Sequence, residues 1–203
     1  LVITVIISLI IQGPPIFFLQ ERIGKNFTKF KLFKFRSMSN FKGTSITNNK
    51  DPRITSFGQV LRKAKIDELP QLINIIKGDM NFVGPRPEVE EYVKEESFSF
   101  LKRIKPGLTD LSSIMFSDEE KLISNMGGVD NYHEILDVKL DLIYHYLGIK
   151  NIWIDFQIIL ITIISLFNPV WARSHINRNF LATLSPEIVK KMYLIRGLNN
   201  RCY

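Results

Sequence analysis

Asp67-Glu68-Leu69-Pro70-Gln71-Leu72-Ile73-Asn74-Ile75-Ile76-Lys77-Gly78 has the grammar of one helix. Asp67 takes the N-cap position, Pro70 falls in the first turn, and Gly78 stands where a C-terminal stop belongs. Leu69, Leu72, Ile73 and Ile76 predict an apolar face turned to the core. Two adjacent carboxylates therefore open a helix just after Arg62, Lys63 and Lys65. The helix dipole and those cations predict that both carboxyls are ionised. Neighbouring helix positions point about a quarter-turn apart, so unequal roles are expected rather than a symmetric dyad. Carboxylates can attack phosphorus, and with Mg²⁺ they can hold and neutralise phosphate. Taken alone, a capping Asp-Glu pair is the commoner explanation.

Upstream, Phe57, Val60, Leu61 and Ala64 have helical spacing, and residues 39 to 52 read as a polar loop. From Arg22 to Arg36 there are six basic residues and no acidic ones, interleaved with Phe27, Phe30, Phe33 and Phe35. Phe33-Lys34-Phe35-Arg36 alternates with period two, predicting a strand with one apolar and one basic face. A solvated edge strand and a phosphate-facing strip are both compatible with it. Leu1 to Ile11 are apolar apart from Thr4 and Ser8, and Gln12-Gly13-Pro14-Pro15 ends any helix there. The run is shorter than the roughly 20 residues of an isolated span, so membrane insertion competes with a buried helix. Because it begins inside an apolar run, the sequence is expected to be a fragment of a longer chain.

Downstream, Gly84-Pro85-Arg86-Pro87 is a rigid turn, and its arginine is equally compatible with a phosphate clamp and a structural ion pair. The segment beyond Glu88 is predicted helical, and Lys105-Pro106-Gly107 forms a turn. Residues 118 to 147 are predicted helical with a break at Gly127-Gly128. Ile152 to Phe167 is apolar but interrupted by Asp155 and Gln157, which suits a helix on a membrane surface or in a core. Ser185-Pro186-Glu187 opens a last helix that Gly197 closes.

With 203 residues, one domain with a sizeable core is expected. A hydrophobic fraction of 45% with 23% charged residues excludes a disordered chain and a many-span membrane protein. The net charge of +7 predicts an anionic partner: nucleic acid, a membrane surface or a phosphorylated substrate. A single cysteine, Cys202, excludes an internal disulfide. No nucleotide-binding glycine loop, paired-histidine motif or serine-histidine-acid signature is present, and His133, His145 and His175 are scattered.

Several motifs occur in one order: residues 15 to 24, Lys34-Phe35-Arg36-Ser37-Met38, Asp51-Pro52-Arg53-Ile54-Thr55, Asp67 to Leu72, Lys77-Gly78-Asp79-Met80 and Val83 to Pro87. Lys105-Pro106-Gly107-Leu108-Thr109 and Trp153-Ile154-Asp155 follow. Over roughly residues 1 to 167 this series resembles the bacterial sugar transferase family, the monotopic polyprenyl-phosphate sugar-phosphate transferases. The resemblance implies an enzyme that moves a sugar-1-phosphate from a UDP-sugar to polyprenyl (undecaprenyl) phosphate and releases UMP. That is the first membrane step of exopolysaccharide, lipopolysaccharide or other glycan assembly.

By position, the resemblance makes Asp67 the nucleophile that forms a phospho-aspartate, and Glu68 its partner. It makes Asp67 and Glu68 candidate Mg²⁺ ligands, and Lys34, Arg36, Arg62 and Arg86 candidate phosphate-binding residues. It also implies attachment to the cytoplasmic face of the inner membrane through a re-entrant helix, of which residues 1 to 12 match the second arm. Residues 13 to 167 would be the catalytic domain and 168 to 203 an extension. The expected fold is α/β and helix-dominated, with a short sheet and interfacial amphipathic helices. Asp110 to Ser117 depart from the family pattern, and Ser117 stands where an arginine is usual. A non-catalytic membrane or complex-assembly protein of the same fold is therefore the alternative; a nucleic-acid partner is not expected.

Overall fold

In the computed structural model, residues 2–39, 47, 51–127 and 129–197 are described. Most of the polar loop predicted over 39 to 52, and Gly128, lie outside them. Helices dominate, and the strands form two separate two-stranded ribbons rather than one short sheet. The chain divides into two compact units, residues 1–45 with 51–108, and 46–50 with 109–203.

The first unit opens with α1 (Val2–Gln12), an apolar helix whose outer side chains are exposed. Strand β1 (Phe17–Ile23) then pairs antiparallel with β2 (Lys29–Phe35), with Leu19 opposite Phe33 and Phe18 opposite Lys34. The buried residues of β2, Leu32 and Phe35, are three apart and so lie on opposite faces, and burial does not follow the predicted division into one apolar and one basic face. Helix α2 (Ser56–Lys63) is capped by Thr55, whose hydroxyl accepts from the Gly58 N–H. Gly58 packs on backbone: a Cβ there would lie 1.8 Å from the Ser37 carbonyl oxygen.

The stretch from Asp67 to Gly78 departs from its predicted form. Residues Ile66–Glu68 make a 3-10 turn, and α3 (Gln71–Lys77) starts after it with Pro70 at the N-cap. Asp67 therefore does not cap α3. Its side chains are also turned the other way: Gln71 is 1% and Asn74 0% exposed, while Ile76 is 86% exposed. The reason is a contact distant in sequence. Asn74 Nδ2 donates to the Lys31 carbonyl at 2.8 Å, and its Oδ1 accepts from the Phe33 N–H at 3.0 Å. The amide serves the open edge of β2 as another strand would, so a polar face packs inward. Gly78, at φ 82°, closes the helix as predicted.

Strand β3 (Asn81–Val83) pairs with β4 (Gly107–Thr109). The helix expected beyond Glu88 is absent; Glu90–Tyr92 and Ser99–Lys102 form only 3-10 turns.

The second unit contains α4 (Leu111–Met115), α5 (Glu119–Asn125), α6 (Tyr132–Ile149), α7 (Ile152–Phe167), α8 (Pro169–Asn179) and α9 (Pro186–Ile195). The break predicted at Gly127-Gly128 is present at Gly127, φ 93°. Helix α7 is capped by Asn151, and Asp155 on it accepts from the Tyr146 hydroxyl at 2.6 Å. That bond fixes the rotation of α7, burying Ile158 and Ile161 and leaving Trp153, Phe156, Leu160 and Ile163 outside. Helix α9 begins at Ser185 and Pro186 and ends before Gly197, φ 66°. Among the described residues no helix is long and apolar enough to cross a membrane.

Candidate active site around Asp67 and Glu68

The acid pair is set by a reversal between α2 and the 3-10 turn. Ala64 ends α2, and Lys65 takes the left-handed conformation at φ 56°, which an L-residue bearing a side chain adopts only at a cost of about 1–2 kcal/mol. The turn that follows carries Asp67 inward, leaving it 6% exposed.

Glu68 is the neutralised member. Arg86 donates to both of its oxygens, Nη2 to Oε1 at 2.5 Å and Nη1 to Oε2 at 3.3 Å. Lys34 Nζ lies 3.6 Å from Oε1. Burial works against the charge of Glu68, but Arg86, Lys34 and Lys65 outweigh it and hold the carboxyl well below its ordinary value. Asp67 goes the other way. Burial and the neighbouring Glu68 charge raise it, against Lys34, Lys65 and Arg62, which pull it down. Its Oδ1 is buried with no hydrogen-bond partner among the described residues. The two carboxyls, expected to share one environment, are thus shifted in opposite directions, Glu68 down and Asp67 up. Lys34 is itself lowered to about 8: burial dominates, Arg86 and Arg22 add to it, and Glu68 and Asp67 oppose it.

The structure brings Lys34 and Arg86 directly onto Glu68, and places Arg62 within electrostatic reach of Asp67. Arg36 is engaged elsewhere. Its Nη2 donates to the carbonyls of Gln12 at 2.5 Å and Gly13 at 2.9 Å, and Gln12 Nε2 returns a bond to the Arg36 carbonyl. One strand thus sends consecutive basic positions to different tasks, because Lys34 and Arg36 lie near its end where α1 arrives.

The loop bearing Arg86 is held from two sides. Arg22 Nη1 donates to the Pro87 carbonyl at 3.1 Å, and the Ile23 N–H donates to the Glu88 carbonyl at 3.1 Å. On the other side the Gly107 N–H donates to the Pro85 carbonyl at 2.9 Å. A Cβ on Gly107 would sit 2.1 Å from the Gly84 nitrogen, so glycine is required for this approach. The motif residues Gly84 and Gly107 are therefore spacing devices for Arg86. Arg22, Gln71 and Asn74 are contributors that residue-type reasoning passed over. Their signal was present as polar residues at positions 67, 71 and 74, a stripe at helical spacing.

A phosphoryl group placed against Asp67 would meet a carboxylate raised in basicity and a set of fixed cations whose positions need no rearrangement. That is the arrangement phosphoryl transfer uses. Residues 1–169 match the family described as bacterial sugar transferase. The chain belongs to that family.

Several curated proteins are similar to it. A galactosyl transferase, CpsE, of Streptococcus agalactiae serotype III (strain NEM316) is 38% identical over 168 residues, covering 75% of this chain and 34% of the relative. The UDP-N-acetylgalactosamine-undecaprenyl-phosphate N-acetylgalactosaminephosphotransferase of Aeromonas hydrophila is 33% identical over 170 residues, covering 78% and 37%. An uncharacterized sugar transferase, EpsL, of Bacillus subtilis (strain 168) is 38% identical over 137 residues, covering 63% and 67%. The chain thus spans about a third of the first two relatives' length.

Proposed function

We propose that this sugar transferase moves a sugar-1-phosphate from a UDP-sugar to a polyprenyl phosphate such as undecaprenyl phosphate. The observation carrying the proposal is the buried Asp67 carboxylate with an unpartnered oxygen, beside a Glu68 already neutralised by Arg86 and Lys34. A carboxylate whose only purpose was capping would spend its oxygens on backbone N–H groups. The Asp67 carboxylate attacks the sugar-bearing phosphorus; a P–O bond forms as the P–O bond to the UMP oxygen breaks, and UMP leaves. An oxygen of the polyprenyl phosphate then attacks the same phosphorus, the aspartyl bond breaks, and Asp67 returns as carboxylate. Arg86, Lys34 and Arg62 supply fixed charge to the phosphates, and Arg86 also keeps Glu68 from competing as a nucleophile.

Mg²⁺ fits the donor set through Asp67, whose Oδ1 is open; Glu68 fits less well, since both of its oxygens accept from Arg86. No group of three metal-ligating side chains exists among the described residues, so remaining ligands would be phosphate oxygens and water. When bound, the ion would neutralise charge on the diphosphate. The exposed apolar sides of α1 and of α7 support a lipid-facing placement on the cytoplasmic side of the inner membrane. The name of a further relative, an exopolysaccharide production protein of Sinorhizobium fredii, supports entry into exopolysaccharide synthesis.

The test is UMP release by the protein in lipid vesicles, with Mg²⁺, undecaprenyl phosphate and a panel of UDP-glucose, UDP-galactose and their N-acetylated forms. At least one donor is expected to yield UMP, and Asp67→Asn to abolish it. No UMP from any donor by folded protein would favour a non-catalytic assembly role instead.

A further inference from the structure

The inward face of residues 66–77 carries three polar side chains: Asp67, Gln71 and Asn74. Two of them have an account. Asn74 is fully engaged with β2 and with Asp79, whose Oδ2 accepts from Nδ2 at 3.1 Å. Asp67 is the proposed nucleophile. Gln71 has none: it is 1% exposed, and its Nε2 is buried with no hydrogen-bond partner among the described residues.

An unpartnered buried amide is costly, and a long flexible residue that loses its rotamer freedom adds to the cost. An apolar residue of the same length would fill the space without either penalty. A buried donor left open beside an open acceptor is what a site looks like when its third member is a ligand. Backbone bonds carry a helical path through both residues. The Leu69 N–H donates to the Ile66 carbonyl, Leu72 to Leu69 and Ile73 to Pro70, while Leu69 and Pro70 both have helical dihedrals. Asp67 and Gln71 are four residues apart on this helical path, and both are buried, 6% and 1% exposed.

We propose that Gln71 is a substrate-contacting residue whose side-chain amide donates a hydrogen bond to a phosphoryl oxygen of the sugar phosphate at Asp67. The inference rests on the transferase reading. It assigns a neutral donor to a site whose Arg86 and Lys34 are already shared with Glu68. A neutral amide adds attraction for the phosphoryl oxygens without raising the charge that opposes Lys34 or stabilising Asp67 as a carboxylate.

The test uses the full chain in vesicles and two measurements. Gln71→Met, of similar length and without polar atoms, is expected to melt at or above the wild-type temperature in the absence of substrate. It is expected to lower kcat/KM for UMP release about ten- to hundredfold. A lower melting temperature overturns the proposal, because it would mean that the amide serves the fold. Wild-type kcat/KM in a stable Gln71→Met protein also overturns it, and leaves the transferase reading intact. Gln71→Glu keeps the shape, removes the donor and adds a negative charge, and wild-type kcat/KM there refutes the contact as well. A wild-type protein that releases no UMP from any donor removes the transferase reading, and this proposal with it.

Discussion

Lys34 offers the sharpest quantitative handle on the site. Its ammonium group is lowered from 10.5 to about 8, chiefly by burial under the β1–β2 ribbon's inner contacts, with Arg86 and Arg22 adding repulsion. The shift corresponds to about 3 kcal/mol of differential interaction between its two protonation states. The folded value is depressed, so Lys34's contribution to stability is present above pH 10.5 and is lost as pH falls through about 8. At neutral pH the charged lysine therefore costs stability, and Lys34→Met is expected to raise it by up to about 3 kcal/mol, less what Glu68 loses as its partner. Catalysis runs opposite. About nine-tenths of the enzyme carries the Lys34 charge at pH 7 and about a tenth at pH 9. In kcat/KM for UMP release from pH 5 to 10, an alkaline limb with an apparent pKa near 8 is expected. Its acid limb should lie above the ordinary aspartate value of 3.8, since burial raises Asp67. Lys34→Arg, which stays charged throughout, should push the alkaline limb beyond pH 10. A flat wild-type profile through pH 10, or an unchanged limb in Lys34→Arg, would refute the reasoning.

Asn74→Ala removes three hydrogen bonds and leaves the Phe33 N–H and Lys31 carbonyl unpaired, so a loss of about 2–4 kcal/mol is expected in urea unfolding; a loss under about 1 kcal/mol would contradict the strand-edge role. Arg36→Met should lower stability by about 1–3 kcal/mol by releasing the end of α1, with kcat/KM within about threefold of wild type. Tenfold slower turnover at unchanged stability would return Arg36 to the phosphates. Phe156→Glu, on the exposed side of α7, should leave the circular dichroism spectrum unchanged and weaken sedimentation with phospholipid vesicles about tenfold or more; undiminished association would remove α7 from the lipid-facing surface.

The parts of the fold that sequence made legible are those whose instructions are local. Ser185 caps α9, accepting from the N–H three residues on, and Gly127, Gly78 and Gly197 stop helices with positive φ. Such signals are complete within a few residues, and no tertiary partner has to be known. The 67–78 stretch failed as an amphipathic pattern because the helix has something other than apolar side chains to pack against. A strand edge presents unpaired backbone groups, and a buried asparagine satisfies them better than a leucine would. Periodicity identified the helix and chose the wrong side of it. The segment beyond Glu88 failed for a related reason: its backbone is used by neighbours, with the Glu88 carbonyl taken by the Ile23 N–H.

The chemistry was legible as a pair of acids with unequal roles, and the opposite shifts of their basicity were not. Composition places both carboxyls in one basic neighbourhood and predicts one outcome for both. The structure separates them through a single residue step on a 3-10 turn, where successive side chains diverge by about a third of a turn. Glu68 then faces the guanidinium held by the Gly84–Pro87 loop, and Asp67 faces inward. This asymmetry bears on reactivity directly. A nucleophile benefits from basicity, and Asp67 has been raised by burial and by the negative charge beside it. Glu68 supplies that charge only because Arg86 and Lys34 keep it ionised. Lys34, which acts on both acids, therefore affects Asp67 in two opposed ways, attracting its proton-free form directly and sustaining the charged neighbour that raises it.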